Sequence, residues 1–136
     1  MPASPSTTPP VVREWLEAFA AAVRSRDYAA GRALCTDDAE GFGTVAARYV
    51  SLDELEREQW RGVWDRTGDF AFDTDAATSW SDGELLVVMA EWGSDGLEPD
   101  GSRRRREGRA TIVLSSADDT LRAVHTHFSM VPGTLA

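Results

Sequence analysis

The stretch "AVHTHFSM", residues 123–130, holds both histidines of the chain, His125 and His127. On a strand, residues two apart point the same way, so the two imidazoles share one face. A pair placed like this can move protons near neutral pH, ligate a metal, or serve the scaffold as hydrogen-bonding groups. Trp60 and Trp64 stand one helical turn apart on a shared face; they can clamp a flat ligand or pack a core. "RRRR", residues 103–106, is able to hold an anion, although a solvated loop balanced by nearby acids is the plainer reading. Cys35 follows Leu34 in an expected helix with no histidine near it, which reads as a buried structural thiol.

These residues must be positioned by elements whose periodicity changes along the chain. "VVREWLEAFAAAVRSRD" has apolar residues at Val11, Val12, Trp15, Leu16, Phe19 and Val23, helical spacing with one wide stripe. "YAAGRALCTDD" is expected to continue as a shorter helix with Leu34 and Cys35 inside, and "GFGT" breaks it before a short extended piece. "SLDELEREQWRGVW" opens with Ser51 and Glu54, a capping box, and ends near Gly68. From there the period is two. "DFAFDTDAATSW", "GELLVVMAEW", "GRATIVLSS" and "LRAVHTHFSMV" read as strands; "GSDGLEPDGSRRRREG" reads as a loop between the second and third, and "SADDT" as a tight hairpin turn. Helices followed by a run of antiparallel strands indicate an α+β domain over residues 11–133, preceded by a disordered tail over 1–10.

Parity sorts the strand residues. Val88, Ala90, Trp92, Ala110, Ile112, Leu114, Thr126 and Phe128 fall on the apolar face; Glu91, Arg109, His125 and His127 fall on the other. A hairpin centred on "SADDT" sets Arg109 opposite His127 and Thr111 opposite His125, and the next pairing sets Glu91 opposite Arg109. The resulting row, Glu91–Arg109–His127 with His125 beside it, reads mainly as a satisfied polar network on the outer sheet face or in a dimer interface. The competing reading turns His127 into a pocket as a catalytic acid–base group. His125, His127 and Glu91 also imitate a two-histidine, one-carboxylate metal site, but an adjacent arginine repels a cation, so no metal is expected.

Composition narrows the classes. A formal charge of −9 disfavours nucleic acid and anionic membrane as partners. All fourteen basic residues are arginine and asparagine is absent, which excludes a lysine nucleophile and a Cys-His-Asn constellation. A single cysteine fits a reducing, cytoplasmic setting, and no apolar stretch approaches membrane-spanning length.

The order of elements resembles the SnoaL-like and ketosteroid-isomerase-like branch of the nuclear transport factor 2 superfamily. "RDYAAGRALCTDDAEGFGT" looks like that family's second-helix motif, and "VHTHFS" like the closing strand of SnoaL-like members and of the kinase II association domain. The resemblance implies a cone-shaped fold in which N-terminal helices pack on a strongly bent antiparallel sheet and enclose an apolar pocket, with the opposite face forming a homodimer. Phe19, Trp60, Trp64, Val88, Trp92, Ile112 and Phe128 would line the pocket. Asp37, Asp38, Asp65, Asp69, Asp73 and Asp75 would crowd its mouth. The isomerase machinery would fall near Phe19, Gly43 and Thr111, none of which can perform it. The implied function is a small-molecule pocket protein for a hydrophobic or aromatic ligand, with cyclase or isomerase chemistry, if any, run without cofactor. The alternative is a non-catalytic homodimerisation module.

Overall fold

A computed structural model describes residues 8–133. The expected tail lies largely outside this range; within it, Thr8 is buried and its hydroxyl donates to the Ala77 carbonyl at 2.5 Å. Helix α1 (Pro10–Ser25) buries Val12, Trp15, Leu16, Phe19 and Val23, the stripe the spacing predicts. It ends at Arg26 in the left-handed region, φ 53°. Asp27 caps α2 (Tyr28–Ala33) by accepting from the Ala30 N–H at 3.0 Å. The third helical segment begins at Leu52–Leu55, with the Ser51 hydroxyl accepting from the Glu54 N–H at 3.1 Å. It continues through a π turn at Glu56–Trp60 and finishes in a tight turn at Trp64–Arg66. Such a π turn rotates the side chains that follow it relative to a regular helix.

Among the described residues the strands are β1 (Cys35–Phe42), β2 (Thr67–Phe72), β3 (Thr78–Asp82), β4 (Leu85–Leu97), β5 (Arg103–Ser115) and β6 (Arg122–Met130). They form one strongly curled, unclosed sheet in the order β1-β6-β5-β4-β2, with β3 also paired to β4. The helices fill its concave side.

Four sequence expectations need correction. Cys35 and the residues after it are not helical but form β1, which pairs parallel to β6, so the sheet is not wholly antiparallel. "DFAFDTDAATSW" is two strands, not one, paired to different halves of β4. The expected long loop shrinks to residues 98–102, because Gly93–Leu97 pair with Arg103–Glu107. Glycine and arginine are weak strand formers, yet they are complementary here: a Cβ at Gly93 would stand 2.8 Å from Cζ of Arg105, so each bare glycine seats a long arginine stem. Last, Arg109 faces Ser129 and Thr111 faces His127, a shift of two residues from the expected register. The turn is longer than "SADDT", and a bulge inserts Val124 between the pairs Val113–His125 and Leu114–Ala123. A shift of two preserves parity, which is why the face assignments survive from residue 125 onward. Before the bulge they invert, and Ala123 is buried against the core rather than outward.

Candidate functional site

Between the third helical segment and the end of the sheet formed by the C-terminal parts of β4 and β6 and the N-terminal part of β5 lies a cavity of about 330 Å³. Its inner wall is aromatic. Phe19 lies 5.3 Å from Trp15, and its ring centroid is about 6 Å from those of Trp60, Trp64 and Phe128. Trp60 and Trp64 stack on each other at 4.6 Å. Trp92 stacks on Phe70 at 5.7 Å, lies across Gly108, and donates from Nε1 to the Arg109 carbonyl at 3.2 Å. Only a glycine at 108 accommodates this, since a Cβ there would stand 2.3 Å from the indole.

Of the expected pocket residues, Phe19, Trp60, Trp64, Trp92 and Phe128 line the cavity. Val88 and Ile112 do not; both are fully buried. They sit on the correct face but are packed into the core beyond the cavity. None of Asp37, Asp38, Asp65, Asp69, Asp73 or Asp75 reaches the cavity wall. Asp69 instead pairs with Arg103 at 3.1 Å and Asp75 with Arg13 at 2.9 Å.

The expected polar row is only partly assembled. Glu91 does face Arg109 across β4 and β5, but Arg109 donates from Nε to Ser129 Oγ at 2.9 Å rather than to His127. His127 is exposed on the outer face, edge-on to Phe42 at 5.2 Å, and does not line the cavity. Sheet curvature therefore does not turn it inward, and the catalytic reading of His127 lacks the geometry it needs. His125 lies beside it, Nδ1 3.0 Å from the Glu40 carbonyl oxygen. Among the described residues no group of three or more His, Cys, Asp or Glu is placed to hold a metal. Burial pushes the Cys35 thiol up to about 12, so the thiolate needed for nucleophilic or redox chemistry is suppressed.

Gln59 and Ser94 on the cavity wall and Tyr49 behind it escaped the sequence reading, whereas Arg104 and Arg106 belong to the "RRRR" run able to hold an anion. Gln59 projects from the π turn and clamps the loop at the cavity mouth. Its Oε1 accepts from the Val45 and Ala46 N–H groups, both at 2.8 Å, and its Nε2 donates to Thr44 Oγ1 at 2.8 Å. The signal was present: Gln59 falls four residues after Leu55 and seven after Leu52, on the apolar stripe. Tyr49, fully buried, shares a 2.6 Å hydrogen bond with Thr126 Oγ1 and accepts from the Thr126 N–H at 3.0 Å. Burial raises its phenol to about 12. At the other end of the cavity stand Ser94, Arg104 and Arg106, with Arg66 and Glu98 at the rim.

A helix-filled, curled sheet that leaves an aromatic cavity at its open end defines a cone-shaped α+β domain. Residues 12–133 match the family model of the SnoaL-like domain, and the chain belongs to that family. Solved structures share the fold. A Xanthomonas campestris protein designated a calcium/calmodulin-dependent protein kinase II association domain superposes with a TM-score of 0.79 at 15% identity, covering 98% of this chain and 99% of that one. A nuclear transport factor 2-like superfamily protein from Salmonella enterica gives 0.78 at 15% identity, covering 92% of both chains. A ketosteroid isomerase-like protein from Erwinia carotovora gives 0.72 at 17%, covering 89% and 94%. No curated protein matches the chain. No helix among the described residues is long and apolar enough to cross a membrane.

Proposed function

We propose that this domain binds a small hydrophobic or aromatic molecule in the cavity. One observation carries the reading: the cavity stays open although Phe19, Trp60, Trp64, Trp92 and Phe128 all converge on it. Its volume is within the range of ligand sites, about 300–1,000 Å³. The ionisable side chains on its wall are Arg66, Arg104, Arg106 and Glu98. Arginine stays protonated and is a poor proton shuttle, and the one carboxylate, Glu98, is paired with Arg104 at 3.7 Å, which favours binding over isomerase or cyclase turnover. Tryptophan fluorescence titrated with polycyclic aromatics tests the reading. Saturable quenching supports it; no response to any member of the panel refutes it.

A specific observation also favours homodimerisation, the second role. The convex sheet face carries Trp80, Leu85 and Met89, respectively 56%, 48% and 43% exposed. Val87 and Val113 join the Trp80 row through direct cross-strand pairing. Such a contiguous apolar face suits a second copy of the same face. Sedimentation equilibrium at micromolar concentration should give twice the chain mass, and Met89→Glu should lower it. A wild-type monomer refutes the dimer.

A further inference from the structure

The cavity has two chemically different ends, and the polar one is unfinished. Ser94 on β4 and Arg106 on β5 are direct cross-strand partners, so both side chains project from the same, concave face. Both line the cavity. Ser94 is 2% exposed, and its hydroxyl makes no side-chain hydrogen bond among the described residues. The Nε of Arg106 is buried with no hydrogen-bond partner. The guanidinium lies over Gly96, where a Cβ would stand 2.5 Å from Nε.

The neighbouring arginines are not in this state. Arg103 reaches Asp69 and Asp95 at 3.1 and 3.2 Å, Arg104 reaches Glu98 at 3.7 Å, and Arg105 reaches Asp95 at 3.8 Å. In a chain with 23 acidic residues against 14 basic ones, Arg106 forms no ion pair among the described residues. A buried donor nitrogen without a partner is costly, and the half-buried side chain that carries it lines the ligand cavity.

Resting on the pocket reading above, we propose that the ligand is an aromatic carboxylic acid. Its rings lie among Trp60, Trp64, Trp92 and Phe128, and its carboxylate is taken by the Arg106 guanidinium with the Ser94 hydroxyl as a second donor. The planar guanidinium fork matches a carboxylate in geometry and charge. A monoanion fits better than a phosphate dianion, because Glu98 stands at the same end of the cavity and Arg104 is already paired to it.

The test compares 2-naphthoate with 2-naphthamide, which share a bicyclic ring and differ in headgroup charge, by calorimetric titration of the full chain. The wild type should bind the acid about tenfold or more tightly than the amide, the factor expected for one charge-assisted hydrogen-bonded contact. Arg106→Gln should bring the two within about twofold by weakening the acid alone, and Ser94→Ala should narrow the ratio less. Equal affinities in the wild type overturn the proposal while leaving the pocket intact. So does an undiminished ratio in a folded Arg106→Gln variant or, should that variant not fold, in Ser94→Ala. Failure of both probes to bind the wild type overturns the pocket reading and this one together.

Discussion

Replacing Gln59 by leucine should unpin the loop at the cavity mouth. The side chain makes three hydrogen bonds of 2.8 Å, to the N–H groups of Val45 and Ala46 and to the Thr44 hydroxyl. Leucine nearly conserves the volume, so the loss is polar. Val45 is 58% exposed and its N–H can turn to water; Ala46 is 8% exposed and its N–H cannot. A net hydrogen bond contributes about 1 kcal/mol and a stranded buried donor costs about 1–3 kcal/mol. With Thr44 and Val45 partly rescued by solvent, the expected loss is about 2 kcal/mol, or roughly 6–8 °C in Tm for a domain of this size. Urea unfolding measures it, and hydrogen exchange at Ala46 should accelerate beyond the global change. Gln59→Glu is the control. It keeps the acceptor for both N–H groups, and the Thr44 hydroxyl can rotate to donate to it, so its cost should be smaller. The reasoning fails if the leucine variant loses under about 0.5 kcal/mol or if glutamate is the worse of the two.

Three further outcomes follow from the same geometry. Tyr49→Phe strands the Thr126 N–H and Oγ1 inside the core and should cost about 1–3 kcal/mol in urea unfolding, with no cavity-lining ring displaced. His127→Gln touches an exposed side chain whose aromatic neighbour is Phe42; it should change stability by under about 0.5 kcal/mol and leave ligand affinity unaltered in the fluorescence titration. Glu56 bonds Arg61 at 2.8 Å through Nε and Arg32 at 3.2 Å, and the Arg61 hydrogen bond holds its carboxyl below the ordinary 4.5. A depressed folded value means that its contribution is present above the unfolded pKa and is lost as pH falls through the folded one. Stability curves of wild type and Glu56→Gln should therefore be separated at pH 6 and converge in strongly acidic solution.

Much of the cone was legible because it rests on local periodicity. The α1 stripe, the Ser51 cap and the alternation in β4, β5 and β6 are properties of neighbouring residues, and hydrophobic burial acts on them wherever the elements are placed. The sequence therefore determined which sheet face meets the helices and that Phe19, Trp60, Trp64, Trp92 and Phe128 belong on the inner side. Partnership across the chain is a different matter. "CTDDAEGF" lacks a strand pattern, and it becomes β1 because the exposed edge of β6 supplies its hydrogen bonds. "GSDG" and "RRRR" each look like loop, and become strand because glycines on one accommodate arginine stems on the other. The turn length and the bulge at Val124 set the register of β5 on β6, separating His127 from the Glu91–Arg109 pair that a hairpin centred on "SADDT" would have set beside it. Those choices depend on long-range pairing and volume complementarity, which no window of sequence contains. For that reason only the tertiary structure could put Arg106 and Ser94, twelve residues apart, side by side on the wall of an aromatic cavity.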